Sequence, residues 1–117
     1  MEKTISLDGI QMRVVSTAQG GDVSSETLFQ FCQRGTLVSA QYAGGKVSLG
    51  FLVGTLSDDQ LRIRYAQVDV EGRIDGGSSL CELERLADGR LRLLEHFQWD
   101  SRMGSGTNVL EQSFGRN

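Results

Sequence analysis

Residues 47–53 read Val47-Ser48-Leu49-Gly50-Phe51-Leu52-Val53, with an apolar side chain at every second position. A repeat of two sends alternate side chains to opposite faces of an extended chain, whereas a helix repeats every 3.6 residues or so. The same alternation recurs on both sides of this run. Phe29 and Phe31 flank Gln30. Val38, Ala40 and Tyr42 alternate with Ser39 and Gln41, and Leu61, Ile63 and Tyr65 interleave with Arg62 and Arg64. Leu91, Leu93 and Phe97 are set against Arg90, Arg92 and His96. No long segment carries helical apolar spacing. Residues 22–31 could begin a helical turn at Ser24 or Ser25, but read as strand from about Glu26.

Turn residues separate these runs at short intervals: Gly20-Gly21, Arg34-Gly35, Gly44-Gly45, Asp58-Asp59, Glu71-Gly72, Asp88-Gly89 and Gly104-Ser105-Gly106. Gly-Gly and Asp-Gly supply the positive φ angles that tight hairpin loops need. The spacing predicts about eight strands, over residues 10–17, 26–34, 36–43, 46–56, 60–70, 73–86, 90–99 and 106–114. Their links are too short for parallel crossovers, so the fold is all-β, an antiparallel up-and-down meander. Closing the sheet into a barrel removes its edges. Gly50 and Gly54 in one strand, and Gly76 and Gly77 in another, mark places where strands bend or bulge. A two-sheet sandwich is the alternative. The expected core includes Phe29, Phe31, Val38, Ala40, Val47, Leu49, Phe51, Ile63, Leu91, Leu93 and Phe97.

The 117 residues make one domain, 1–117, with 38% hydrophobic and 23% charged residues and a net charge of −3. The acidic balance argues against nucleic acid as partner, since duplex binding needs clustered Lys and Arg. No apolar run is long enough to span a bilayer as a helix, and Met1–Ser6 lacks the apolar stretch of a secretory signal. Cys32 and Cys81 then read as two reduced thiols in a cytoplasmic protein. A zinc site would have to recruit the single histidine, His96, so no metal and no cofactor is expected.

Several stretches, in order along nearly the whole chain, resemble a known family. They are residues 9–14, Ser25-Glu26-Thr27-Leu28-Phe29-Gln30-Phe31, Ala40-Gln41-Tyr42-Ala43-Gly44-Gly45 and Gly50-Phe51-Leu52-Val53-Gly54. Arg64-Tyr65-Ala66-Gln67-Val68-Asp69, Gly89-Arg90-Leu91-Arg92-Leu93, Glu95-His96-Phe97-Gln98-Trp99 and Gly106-Thr107-Asn108-Val109-Leu110-Glu111-Gln112 complete the set. The family comprises small bacterial and eukaryotic proteins often labelled N-acetylglutamate synthase, some of them described as avidin-like or lipocalin-like barrels. The resemblance implies a calycin-like barrel and no particular reaction. The synthase label conflicts with the residues: Gln41-Tyr42-Ala43-Gly44-Gly45-Lys46 is the nearest match to an acetyl-coenzyme A signature. It is followed by the period-2 run from Val47, so no helix N-terminus is expected for a pyrophosphate.

Two constellations could carry chemistry. If Leu86 pairs with Leu91, Glu82 faces Glu95, and if the last hairpin centres on Met103, Glu95 also faces Glu111. The glutamates would then stand ~5 Å apart on one face, arranged for acid/base work or for a cationic ligand. A slip of one residue would put some of them in solvent instead. The second constellation is Tyr42, Tyr65, Gln67 and Trp99, whose polar tips would enter an apolar lumen as in a small-ligand site. His96 is out of phase with Phe97 and is expected to face outward. Three readings remain: a barrel binding a small, mostly apolar molecule, a small enzyme using the Glu95/Glu111 pair, or a filled barrel acting through protein contacts, whose Lys-poor strands would tolerate a homodimer.

Overall fold

The computed structural model describes residues 5–113. Eight strands follow one another: β1 (Gln11–Ser16), β2 (Leu28–Arg34), β3 (Leu37–Gly44), β4 (Val47–Ser57), β5 (Gln60–Asp69), β6 (Ile74–Arg85), β7 (Leu91–Trp99) and β8 (Ser105–Gln112). Each pairs antiparallel with the next, and β1 pairs with β8, which closes the barrel. The predicted meander is therefore the observed one. Asp58 and Asp59 take φ angles of 53° and 64°, the left-handed geometry of a tight two-residue hairpin, and join β4 to β5.

The barrel is filled from one end. Residues 5–10 cross the end formed by the β2–β3 and β4–β5 turns, where the Gly9 amide bonds the Phe31 carbonyl and the Leu7 amide bonds Gln33 Oε1. Ile5 and Leu7 join Met12, Val14, Phe31, Leu56, Leu61, Leu83, Leu91 and Leu110 in a continuous apolar core. At the other end the long β1–β2 loop, residues 17–27, folds back over the opening. Buried Thr27 secures it, accepting the Ser24 amide and donating to the Gly44 carbonyl.

Strand β4 corrects the simple alternation. Val47 pairs with Asp69 but Leu49 with Val68, so a bulge at Ser48 inserts one residue. The facing flips beyond it: Leu52 and Leu56 are buried, while Leu49, Phe51 and Val53 are 40%, 52% and 63% exposed. Leu49 and Phe51 thus do not belong to the core; the other nine expected positions do. The reason is room. The inward site opposite Tyr42 is Gly50, and a Cβ there would lie 2.4 Å from the Tyr42 ring. Phe51→Ala should therefore shift stability by no more than about 0.5 kcal/mol, as for a surface substitution, which a urea midpoint will check.

Candidate functional site

Three glycines let aromatic rings lie across neighbouring strands. Tyr42, Gly50 and Gln67 form one rung across β3, β4 and β5. The Tyr42 ring covers Gly50, and its hydroxyl donates to Gln67 Oε1 at 3.0 Å. Tyr65, Gly77 and Trp99 form a second rung across β5, β6 and β7, where the Tyr65 and Trp99 rings meet edge to face at 5.5 Å over Gly77. Phe97 packs over Gly106 in the same way and meets Trp99 at 5.9 Å. Of the glycines expected to mark bends, Gly50 and Gly77 are thus spaces that aromatic side chains occupy, whereas Gly54 and Gly76 lie against backbone of the neighbouring strand.

These rungs surround a cavity under the β1–β2 loop, lined by Phe29, Tyr42, Leu52, Tyr65, Gln67, Glu95, Phe97, Trp99 and Asn108, with Gly21, Asp22 and Val23 as its roof. Its free space is about 20 Å³, enough for roughly one water molecule. Two amide side chains latch the roof to the lumen. Gln67 accepts from Tyr42 and donates through Nε2 to Asp22 Oδ2 at 3.1 Å. Asn108 accepts the Ala18 amide on Oδ1 at 3.0 Å and donates through Nδ2 to Glu95 Oε1 at 3.2 Å. Trp99 Nε1 adds a bond to the Gly20 carbonyl. Arg102 lies over the Trp99 ring, 3.9 Å from its centre, and pairs with Asp22 and Asp75 at 3.0 and 3.1 Å.

Glu95 points inward, as expected, but its partners are Ser79, which donates to Oε2 at 2.8 Å, and Asn108. It bonds none of the expected Tyr65, Gln67, Arg64 or Glu111. Both hairpin registers differ from expectation. The β6–β7 loop uses three residues, Ala87-Asp88-Gly89, with Gly89 at φ +92°, so Glu95 faces Cys81 and Glu82 faces Leu94. At the β7–β8 turn the Trp99 amide bonds the Gly104 carbonyl, while Gly76 O holds the Asp100 and Ser101 amides. Glu95 consequently faces Asn108. Glu111 leaves the lumen set altogether: it faces Arg92 and bonds its guanidinium. His96 is on the outer face, against Thr107. The residues that sequence reasoning missed are Ser79, Asn108 and Asp22. Asn108 shares its inward parity with Leu110, a signal present in the chain; Asp22 is placed only by the loop.

Over residues 5–113 the chain matches the family model of avidin-like proteins. It belongs to the avidin-like family. No curated protein and no solved structure gives a significant match.

In this avidin-like barrel, burial sets the electrostatics of the lumen. Desolvation raises the Glu95 pKa above its ordinary 4.5, against the lowering effect of the Ser79 and Asn108 hydrogen bonds. Desolvation and the nearby Glu95 likewise push the Tyr42, Tyr65 and Cys81 pKa values upward, so these groups stay neutral. A carboxyl whose pKa is higher folded than unfolded favours the fold fully below the unfolded value. That contribution is lost as pH rises through the folded pKa. The thermal midpoint of the barrel should therefore exceed that of Glu95→Gln least at alkaline pH, and the difference should shift in the barrel's favour on acidification towards pH 4.5. Paired melting curves across that range will show it; a constant difference would refute a buried, proton-holding Glu95.

Proposed function

We propose that the protein is a non-enzymatic binder that holds a small, mostly apolar molecule in the mouth of the barrel beneath the β1–β2 loop. The observation that carries this reading is the cavity itself. Aromatic walls from Phe29, Tyr42, Tyr65, Phe97 and Trp99 converge with the polar tips of Gln67, Glu95 and Asn108 under a roof latched by a few hydrogen bonds. Apolar pockets with a few fixed polar groups are the usual form of a ligand site. A ligand larger than the present free space enters when Gly21–Val23 lift and the Asp22 and Gly20 bonds open. Tyr42, Tyr65, Gln67, Glu95 and Trp99 are the residues that would contact it. The acid/base alternative loses its second carboxylate, because Glu111 is outside and paired to Arg92. The synthase label has no support from the geometry: among the described residues there is no helix to receive a pyrophosphate.

Trp99 is the single tryptophan and reports on the site. Its emission should shift on titration with small aromatic or aliphatic amphiphiles, and native mass spectrometry of freshly purified protein should find a retained small molecule. If no compound moves the emission and the protein carries nothing, the lumen is only a core.

The exterior favours a homodimer as a second property. Leu49, Phe51 and Val53 stand exposed in a row on β4, flanked by uncharged Ser39 and Gln41 on one side and by Val68, Ala66 and Arg64 on the other, Arg64 being paired with Asp100. A second copy centred on Phe51 would meet uncharged Gln41 and Ala66 on either side of it, and contiguous apolar surface of this kind marks protein contacts. Phe51→Glu should then lower the sedimenting mass, while a monomeric parent would dismiss the idea. The free cysteines, Cys32 on the surface and Cys81 in the interior, accord with a reducing cytoplasmic location.

A further inference from the structure

We infer that the lumen's ligand, taking the binding role proposed above as given, presents a primary ammonium group to Glu95. Both oxygens of this carboxyl are hydrogen-bonded, Oε2 to Ser79 Oγ and Oε1 to Asn108 Nδ2. Asn108 Nδ2 can only donate, and its Oδ1 is taken by the Ala18 amide. Oε1 is thus held as an acceptor, while the Ser79 hydroxyl can donate to an ionised Glu95 or accept from a protonated one, so the same bonds serve the acid in both states.

An ionised carboxylate in an apolar enclosure needs a cation, and the enclosure is shaped to receive one. Among the described residues the acids lining the cavity are Asp22 and Glu95, and no Lys or Arg lines it. The nearby guanidinium, Arg102, is shared between Asp22 and Asp75, so the mouth carries net negative charge before Glu95 is counted. The other titratable groups facing Glu95, namely Tyr42 and Tyr65 across the lumen and Cys81 opposite on β6, are held neutral, and His96 beside it lies on the outer face. The walls are aromatic, and ring faces attract cations; Trp99 already carries the Arg102 guanidinium on its ring.

Size narrows the cation further. With the loop closed the free space is about 20 Å³, so the more compact the cationic head the less the loop has to move, which favours a primary ammonium over a quaternary ammonium or a guanidinium. The ammonium would sit deep, against Glu95, and the apolar remainder would run along Tyr65 and Trp99 toward the loop. Desolvation favours neutral Glu95 in the empty barrel, so binding an ammonium displaces its proton. Amine affinity then rises with pH until Glu95 is fully ionised, and falls only where the amine itself loses its proton.

The test is a Trp99 fluorescence titration with 2-phenylethylamine and its neutral counterpart 2-phenylethanol, each up to roughly 10 mM. The amine should bind at least about tenfold more tightly, as expected of a hydrogen bond to a charged group. Its affinity should weaken on acidification while that of the alcohol stays flat. Glu95→Gln should erase the preference, bringing the amine's affinity down to that of the alcohol measured on the same variant. The pH series on the unaltered protein decides the matter even if that variant folds poorly. Equal affinities, or a preference that survives Glu95→Gln, would overturn the cation assignment while the lumen site stood. Silence from both molecules would overturn the site and the assignment together.

Discussion

Phe29→Ala should cost about 3–5 kcal/mol, the usual range for removing a buried phenyl ring. Phe29 is 2% exposed, stacks on Tyr42 at 4.6 Å between ring centres and continues the stack to Phe31 at 6.1 Å. The ring stands between the filled part of the barrel and the cavity. Its neighbours are held by paired strands on each side and can collapse only partly into the gap, so the void remains. Against a total stability of about 5–15 kcal/mol for a domain, the loss is a large share. It should appear as a lower urea midpoint with an unchanged slope. An unchanged midpoint would show that the ring is not packed as described.

Gly50→Val should be the second severe change, through overpacking instead of a void, at about 1–3 kcal/mol or more. The backbone at Gly50 needs no left-handed angle; what it needs is the absence of a side chain. A Cβ there would meet three atoms of the Tyr42 ring at 2.4 to 2.8 Å. The ring would have to leave, breaking the hydroxyl's bond to Gln67 and loosening the Gln67–Asp22 latch. Two consequences separate this account from general strand damage. Trp99 emission should change, because the roof that bonds its indole N–H moves. Tyr42→Ala should also be less harmful in the Gly50→Val background than alone, since the two side chains compete for one space. Strictly additive losses would refute that competition.

Whether the sheet closed as a barrel or split into a sandwich was decided by the pairing of β1 with β8, but the sequence by itself determined the number, direction and order of the strands. Those features follow from short-range causes: period-2 patterning, turn residues with their φ preferences, and links too short for anything but hairpins. It also determined that Tyr42, Tyr65, Gln67, Glu95 and Trp99 face inward, because each shares parity with apolar neighbours on its own strand. What it left open was register. The bulge at Ser48 reversed Leu49, Phe51 and Val53, because the requirement it answers, space for the Tyr42 ring over Gly50, arises between strands and not along one. One residue of difference in the β6–β7 loop moved Glu82 away from Glu95, and the β7–β8 turn, held by Gly76 O, put Asn108 opposite Glu95 where Glu111 was expected. A side-chain period of two makes such a slip change which residues meet without disturbing the fold. The roof was decided by tertiary structure alone. Asp22 has no periodic signal, and its role comes from a loop folding across the barrel to reach Gln67 and Arg102, residues 45 and 80 positions further along the chain.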